Sequence, residues 1–164
     1  MKCLTVLIAV ALMPFAAAAS PPPVSHTAAM PATSAKFLQP AQIQWGDAPP
    51  ALPKGAQAIV LSGNPNASGA FVLRLKAPAG YKVAMHWHPS DEQVTVIEGD
   101  FTLSMDDGSR PHQLSAGSFA LMPAKMHHAG STQAGTILQV SGIGPFEINY
   151  INPKDDPRHH AAAK

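Results

Sequence analysis

The chain has 164 residues, of which 13% are charged and 46% hydrophobic, with 17 Pro, eight His and one Cys. A length of this order sets the expectation at one domain, and the low charge excludes an acidic or basic tail protein. A formal net charge of +1 excludes a general electrostatic grip on nucleic acid, and a single Cys excludes a disulfide framework or a thiolate metal cluster.

Residues 1–19 read as a secretory signal peptide: Lys2, an apolar run from Leu4 to Phe15, then Ala17-Ala18-Ala19 before Ser20. The run is short for a membrane span of about 20 residues, so no stable membrane insertion is expected once it is removed. Cys3 precedes the apolar run and leaves with it. The expected mature protein is exported, to the periplasm or the medium, and lacks an Arg-Arg pair in its signal. It would collect any metal outside the cytoplasm, where the affinity order favours copper and zinc. Residues 20–35 form a Pro/Ala-rich leader that has too little to bury to offset its ordering entropy.

The folded unit is expected over residues 36–153, followed by a polar tail over 154–164. Pro40 to Gln44 has room for one helical turn, which Pro49 to Pro53 stops. Short runs rich in Val, Ile, Leu, Phe and Thr then follow: Ala58 to Leu61, Ala70 to Lys76, Lys82 to His86, Gln93 to Ile97 and Asp100 to Met105. Ser118 to Met122, Thr136 to Ser141 and Phe146 to Ile151 complete the series. Gly, Pro, Asn and Asp punctuate them, which predicts an all-β sandwich or barrel with little helix. Between Phe71 and Lys76, Leu73 and Leu75 share one face and Arg74 and Lys76 the other.

The His content gathers at one place. His86 and His88 flank Trp87, and residues two apart on a strand point to the same face, so both imidazoles can converge inside a barrel. Glu92 follows at the start of the next apolar run, past a Pro-Ser-Asp turn. Two imidazoles and a carboxylate suit several divalent first-row metals. A further donor should come from a distant strand, and His127-His128, after Met122-Pro123, fits that role. From these anchors the inward face is expected to carry Lys82 and Ala84, then Val94 and Val96, with Phe101, Phe119, Leu121 and Met122 of uncertain phase. Trp87 should point away.

Gly80, five residues, His86, one, His88, three, Glu92, six and Gly99 resemble the first motif of the cupin superfamily. Gly117, Pro123 and His128 match its second motif, with Lys125 standing where that motif has Gly and Thr132 where it has Asn. Glycine serves a positive φ at such a position, where lysine carries a backbone cost. The run Asp91 to Val96 also resembles that of small exported single-domain cupins. The resemblance implies a single jelly-roll barrel in which His86, His88, Glu92 and His128 hold one divalent ion: iron, manganese, copper, nickel or zinc. His128 is then the ligand, and His127 faces the other way.

Within that resemblance the expected activity is that of a metal-dependent cupin enzyme acting on a small molecule. The reaction would be dioxygenase-like, or a decarboxylation or isomerisation using the ion as Lewis acid, with Glu92 serving as ligand or base. The apolar lining favours a weakly polar substrate such as a phenolic or a diketone. The alternative is a non-catalytic metal- or small-ligand-binding module, a metal sink or sensor. Pairing of edge strands would give a homodimer.

Overall fold

A computed structural model describes residues 34–161. The expected signal peptide, most of the leader and the last three residues lie outside the described residues. The chain divides at Phe37, and everything below concerns the unit that begins at Leu38.

Ten strands carry the fold: β1 Gly46–Asp47, β2 Gln57–Ser62, β3 Gly69–Ala77, β4 Lys82–Trp87, β5 Glu92–Met105, β6 His112–Ser115, β7 Phe119–Met122, β8 His128–Ser131, β9 Thr136–Gly144 and β10 Asn149–Tyr150. They lie in the order β1-β2-β3-β9-β5-β8-β4-β10, with β6 and β7 also on β5. All pairings are antiparallel. The all-β jelly-roll expectation holds. Among the described residues, helix is confined to 3-10 turns at Pro40–Gln42 and Pro153–Asp155 and to a short α1, Pro157–Ala161. Among the described residues no helix is long and apolar enough to cross a membrane.

The strand β5 explains the architecture. The sequence breaks it at Glu98-Gly99 into two runs, and the structure joins them into one strand serving two sheets. Its first half, Glu92 to Gly99, pairs with β7 and β9, and its second half, Asp100 to Met105, pairs with β6 and β8. At the corner the ladder to β9 slips between Val96 and Glu98, and Gly99 takes φ 79°. A bulge with glycine in the left-handed region is how a strand turns from one sheet into another.

The core fills the space between the sheets. Phe71 and Val96 are each 1% exposed, and Val94, Leu138, Met122 and Leu103 are buried around them. Burying a side chain such as Phe71 contributes about 1.5–3 kcal/mol. On β3, Leu73 and Leu75 line the interior while Arg74 bonds Gln139 across the outer face, as the alternation requires.

Candidate metal centre

His86 lies on β4 directly opposite His128 on β8, so the backbone register alone brings these two imidazoles together. His88 follows just past the end of β4, on the same side as His86. Trp87 between them lies opposite Asn149 of β10 and is absent from the cavity wall. Glu92, the first residue of β5, is held between Met122 of β7 and Gly142 of β9. All four side chains are buried, His128 to 2% exposure. The ring centroids of His86 and His128 are 4.4 Å apart, those of His86 and His88 4.9 Å.

Each imidazole is oriented from behind. The Nδ1–H groups of His86, His88 and His128 donate to the carbonyls of Ala84 (2.7 Å), Glu147 (2.6 Å) and Met126 (3.0 Å). Such bonds orient each ring so that its Nε2 faces the cluster, the arrangement by which proteins orient metal-binding histidines. One ring nitrogen from each lies within 4.8 Å of those of the other two, so the cluster can hold a metal ion. His88 Nε2 is buried and makes no hydrogen bond. A polar atom left so is costly unless a ligand satisfies it, and the donor set therefore fits a divalent ion. Glu92 Oε2 stands 3.1 Å from His128 Nε2 and 3.5 Å from His88 Nε2.

Electrostatics follow from this crowding. Burial, reinforced by the charge of His128, pushes the His86 pKa down to about 4. Burial also lowers that of His88. Burial alone would raise Glu92, but the hydrogen bond from His128 and the surrounding imidazoles outweigh it, and the carboxyl ionises below its ordinary range. Burial would lower His128, but its contact with Glu92 raises it instead. Glu92 is therefore held as a carboxylate.

These residues line a cavity of about 510 Å³. Its wall is mostly aliphatic and aromatic, with Leu73, Leu75, Val94, Phe101, Leu138 and Val140 among the contributors. Phe146 stacks on His88, ring centroids 4.2 Å apart and planes within 15°. A Pro-rich strap, Pro49 to Leu52, closes one side, tied down where Tyr81 and Tyr150 donate to the carbonyls of Pro53 (2.6 Å) and Ala51 (2.8 Å).

Val94 lines the cavity and Val96 is buried beside it in the core, as expected, but Lys82 and Ala84 do not line it. The ladder between β4 and β8 slips between Val83 and His86, which puts Val83, not its neighbours, on the cavity wall. Phe101 lines the cavity, Met122 is buried in the core, and Phe119 and Leu121 are exposed. His127 turns outward and pairs with Asp106, 39% exposed. Lys125 adopts φ 66°, the left-handed conformation that the motif's glycine serves, and its N–H donates to the His88 carbonyl. Thr132, standing for the motif's Asn, bonds Asp100 (3.2 Å). Arg158 on the cavity wall lies in the stretch read as polar tail, and Phe146 opens the run Phe146 to Ile151, of which only Asn149–Tyr150 forms a strand.

Comparison with solved structures finds the same fold. The polyketide cyclase RemF from Streptomyces resistomycificus superposes with a TM-score of 0.61 at 15% identity, covering 78% of this chain and 93% of that one. A protein from Methylibium petroleiphilum, named as a candidate acetylacetone dioxygenase, gives 0.59 at 18% identity, covering 81% and 96%. A RmlC-like cupin from Shewanella frigidimarina gives 0.53 at 20%, covering 67% and 91%. A search of curated proteins finds no match. The fold is the one seen in solved cupin structures, and, with residues 22–149 matched by its family model, the chain belongs to the family described as Domain of unknown function (DUF4437).

Proposed function

We propose that this protein is an exported, metal-dependent cupin enzyme that acts on a small, largely apolar, enolisable dicarbonyl compound. The observation that carries the reading is the trio of imidazoles, each tied back through Nδ1, with an ionised Glu92 against two of them on the wall of an apolar cavity. His86, His88 and His128, with Glu92, would hold the ion. A bound divalent ion supplies Lewis acidity toward a carbonyl and, where it is redox-active, chemistry with dioxygen. The protein's own part is positioning and proton transfer. Glu92, already ionised beside the imidazoles, is the carboxylate placed to take a proton from the carbon between two carbonyls, whose acidity the bound ion would raise. The apolar wall lowers the local dielectric and so strengthens each polar contact within. Support for the substrate class comes from two structural relatives, one named a polyketide cyclase and one named for acetylacetone, itself a 1,3-dicarbonyl compound. Support for export is the signal-like pattern of residues 1–19.

The test begins with metal analysis of the protein from Ser20 onward, purified from the exported fraction. About one equivalent of a divalent ion, lost in His86→Ala, is the expected result; no uptake of any ion would overturn the reading. Oxygen uptake and product formation with acetylacetone and benzoylacetone then test catalysis. Firm zinc retention with no conversion across such a panel would instead identify a metal- or ligand-binding module.

A further inference from the structure

The cavity wall carries one side chain of fixed positive charge among the described residues, Arg158 of α1. Its guanidinium is held in place from two sides. Nε and Nη2 fork onto the Asp156 carboxylate at 2.8 and 2.7 Å, and Nη2 also donates to the Ile148 carbonyl at 3.0 Å. The Arg158 backbone N–H adds a bond to the same carboxylate at 3.0 Å. Asp156 is only 7% exposed, so the guanidinium is fastened along its Nε–Nη2 edge, while the Arg158 side chain as a whole stays 46% exposed. Nη1 has no hydrogen-bond partner among the described residues.

The geometry of the fork decides what Arg158 can recognise. A carboxylate is bound best by two parallel N–H groups on one edge of the guanidinium. The Nε–Nη2 edge is filled by Asp156, and the Nη2 half of the other edge is filled by Ile148. What remains is the pair of hydrogens on Nη1, suited to a single oxygen. The charge is also compensated by Asp156, and Glu147 lines the same cavity. A second carboxylate would meet two existing ones there.

We propose that Arg158 is the specificity-determining residue of this cavity, selecting substrates that carry a neutral carbonyl oxygen at the part of the wall Arg158 forms and disfavouring those that carry a carboxylate there. The inference rests on the dicarbonyl reading above and adds the chemistry of the substrate group that meets Arg158. Arg158 touches the bound molecule and takes no part in bond making.

The test uses three probes of nearly equal shape: 1-phenylbutane-1,3-dione bearing at the para position an acetyl, a carboxylate or an isopropyl group. Dissociation constants are measured by calorimetry on the full mature protein. The wild-type protein should bind the acetyl probe about tenfold more tightly than the isopropyl one, the size of one hydrogen bond to a charged donor, with the carboxylate no tighter than isopropyl. In Arg158→Met the acetyl preference should fall to within about twofold while the isopropyl affinity is retained. Arg158→Lys keeps a cation on Asp156 and so keeps α1 docked, yet lacks the free Nη1, and should lose the preference as well. An unchanged acetyl preference in both variants, or tightest binding of the carboxylate by wild type, overturns the selection while leaving the dicarbonyl reading intact. Failure of all three probes to bind overturns both.

Discussion

Gly99→Ala should be among the most damaging single-methyl additions to this chain, and the structure says by how much. A Cβ built on Gly99 would lie 2.0 Å from the Gly135 carbonyl oxygen and 3.0 Å from its carbon, both backbone atoms. Gly80 offers the control, since it has φ +75° against +79° at Gly99 but nothing within 4 Å of its Cβ position. The left-handed backbone costs an alanine about 1–2 kcal/mol, partly offset by the stiffer unfolded chain, so Gly80→Ala should lose about 1 kcal/mol. Gly99→Ala adds the displacement of β9 from the corner of β5, an overpacking cost of about 1–3 kcal/mol, for a total of about 3 kcal/mol. Urea titration followed by tryptophan fluorescence reads both, with an unchanged m-value expected. At this chain length the difference corresponds to a melting point lower by about 8 °C in Gly99→Ala than in Gly80→Ala. Equal losses in the two variants would refute the close approach of β5 and β9 at this corner.

Three further outcomes are expected. His128→Ala should weaken binding of zinc or manganese by more than about a hundredfold in competition with a chelator, and His127→Ala by less than about threefold, since only the first places a nitrogen in the cluster. In protein stripped of metal, His86 stays neutral in the fold down to about 4, while in the unfolded chain it takes its proton at its ordinary value near 6.5. The unfolded state then binds more protons across that interval, so stability should fall as pH drops from about 6.5 to about 4, read by melts with and without added ion. A stripped protein of constant stability across the interval would contradict a buried, neutral His86. Tyr81→Phe and Tyr150→Phe should each cost about 1 kcal/mol and speed hydrogen exchange in the strap from Pro49 to Pro53, whose carbonyls they hold.

The clustering of the site's side chains was more legible than the strands that carry them. A period of two and a motif of fixed spacing are local facts, and they bring out His86, His88, Glu92 and His128 without any knowledge of pairing. Lys125 shows the strength of that logic: a residue unsuited to φ 66° adopts it because the turn before His128 demands it. What the sequence hides is register. The slip between Val83 and His86 depends on how β4 meets β8, more than forty residues away in sequence, and so Lys82 and Ala84 were expected on the wrong face. β6 and β8, four residues each, are too short to show a period. Arg158 and Phe146 reach the cavity through tertiary contacts alone, with Arg158 fastened by a buried Asp156 in a stretch that reads as polar tail.

The double service of β5 has a kinetic consequence. Its pairings join residues far apart in sequence, Glu92 with Gly142 and Thr102 with Ser131, and Gly69 on β3 must find Gly144 on β9. Loops of that length close before any contact rewards them, so folding belongs in the millisecond-to-second range typical of non-local β topologies. Neither sheet can be completed before β5 is in place, which makes this strand the natural nucleus. Substitutions along it should therefore slow refolding, whereas those at β1 or β10, on the ends of the strand order, should mainly hasten unfolding.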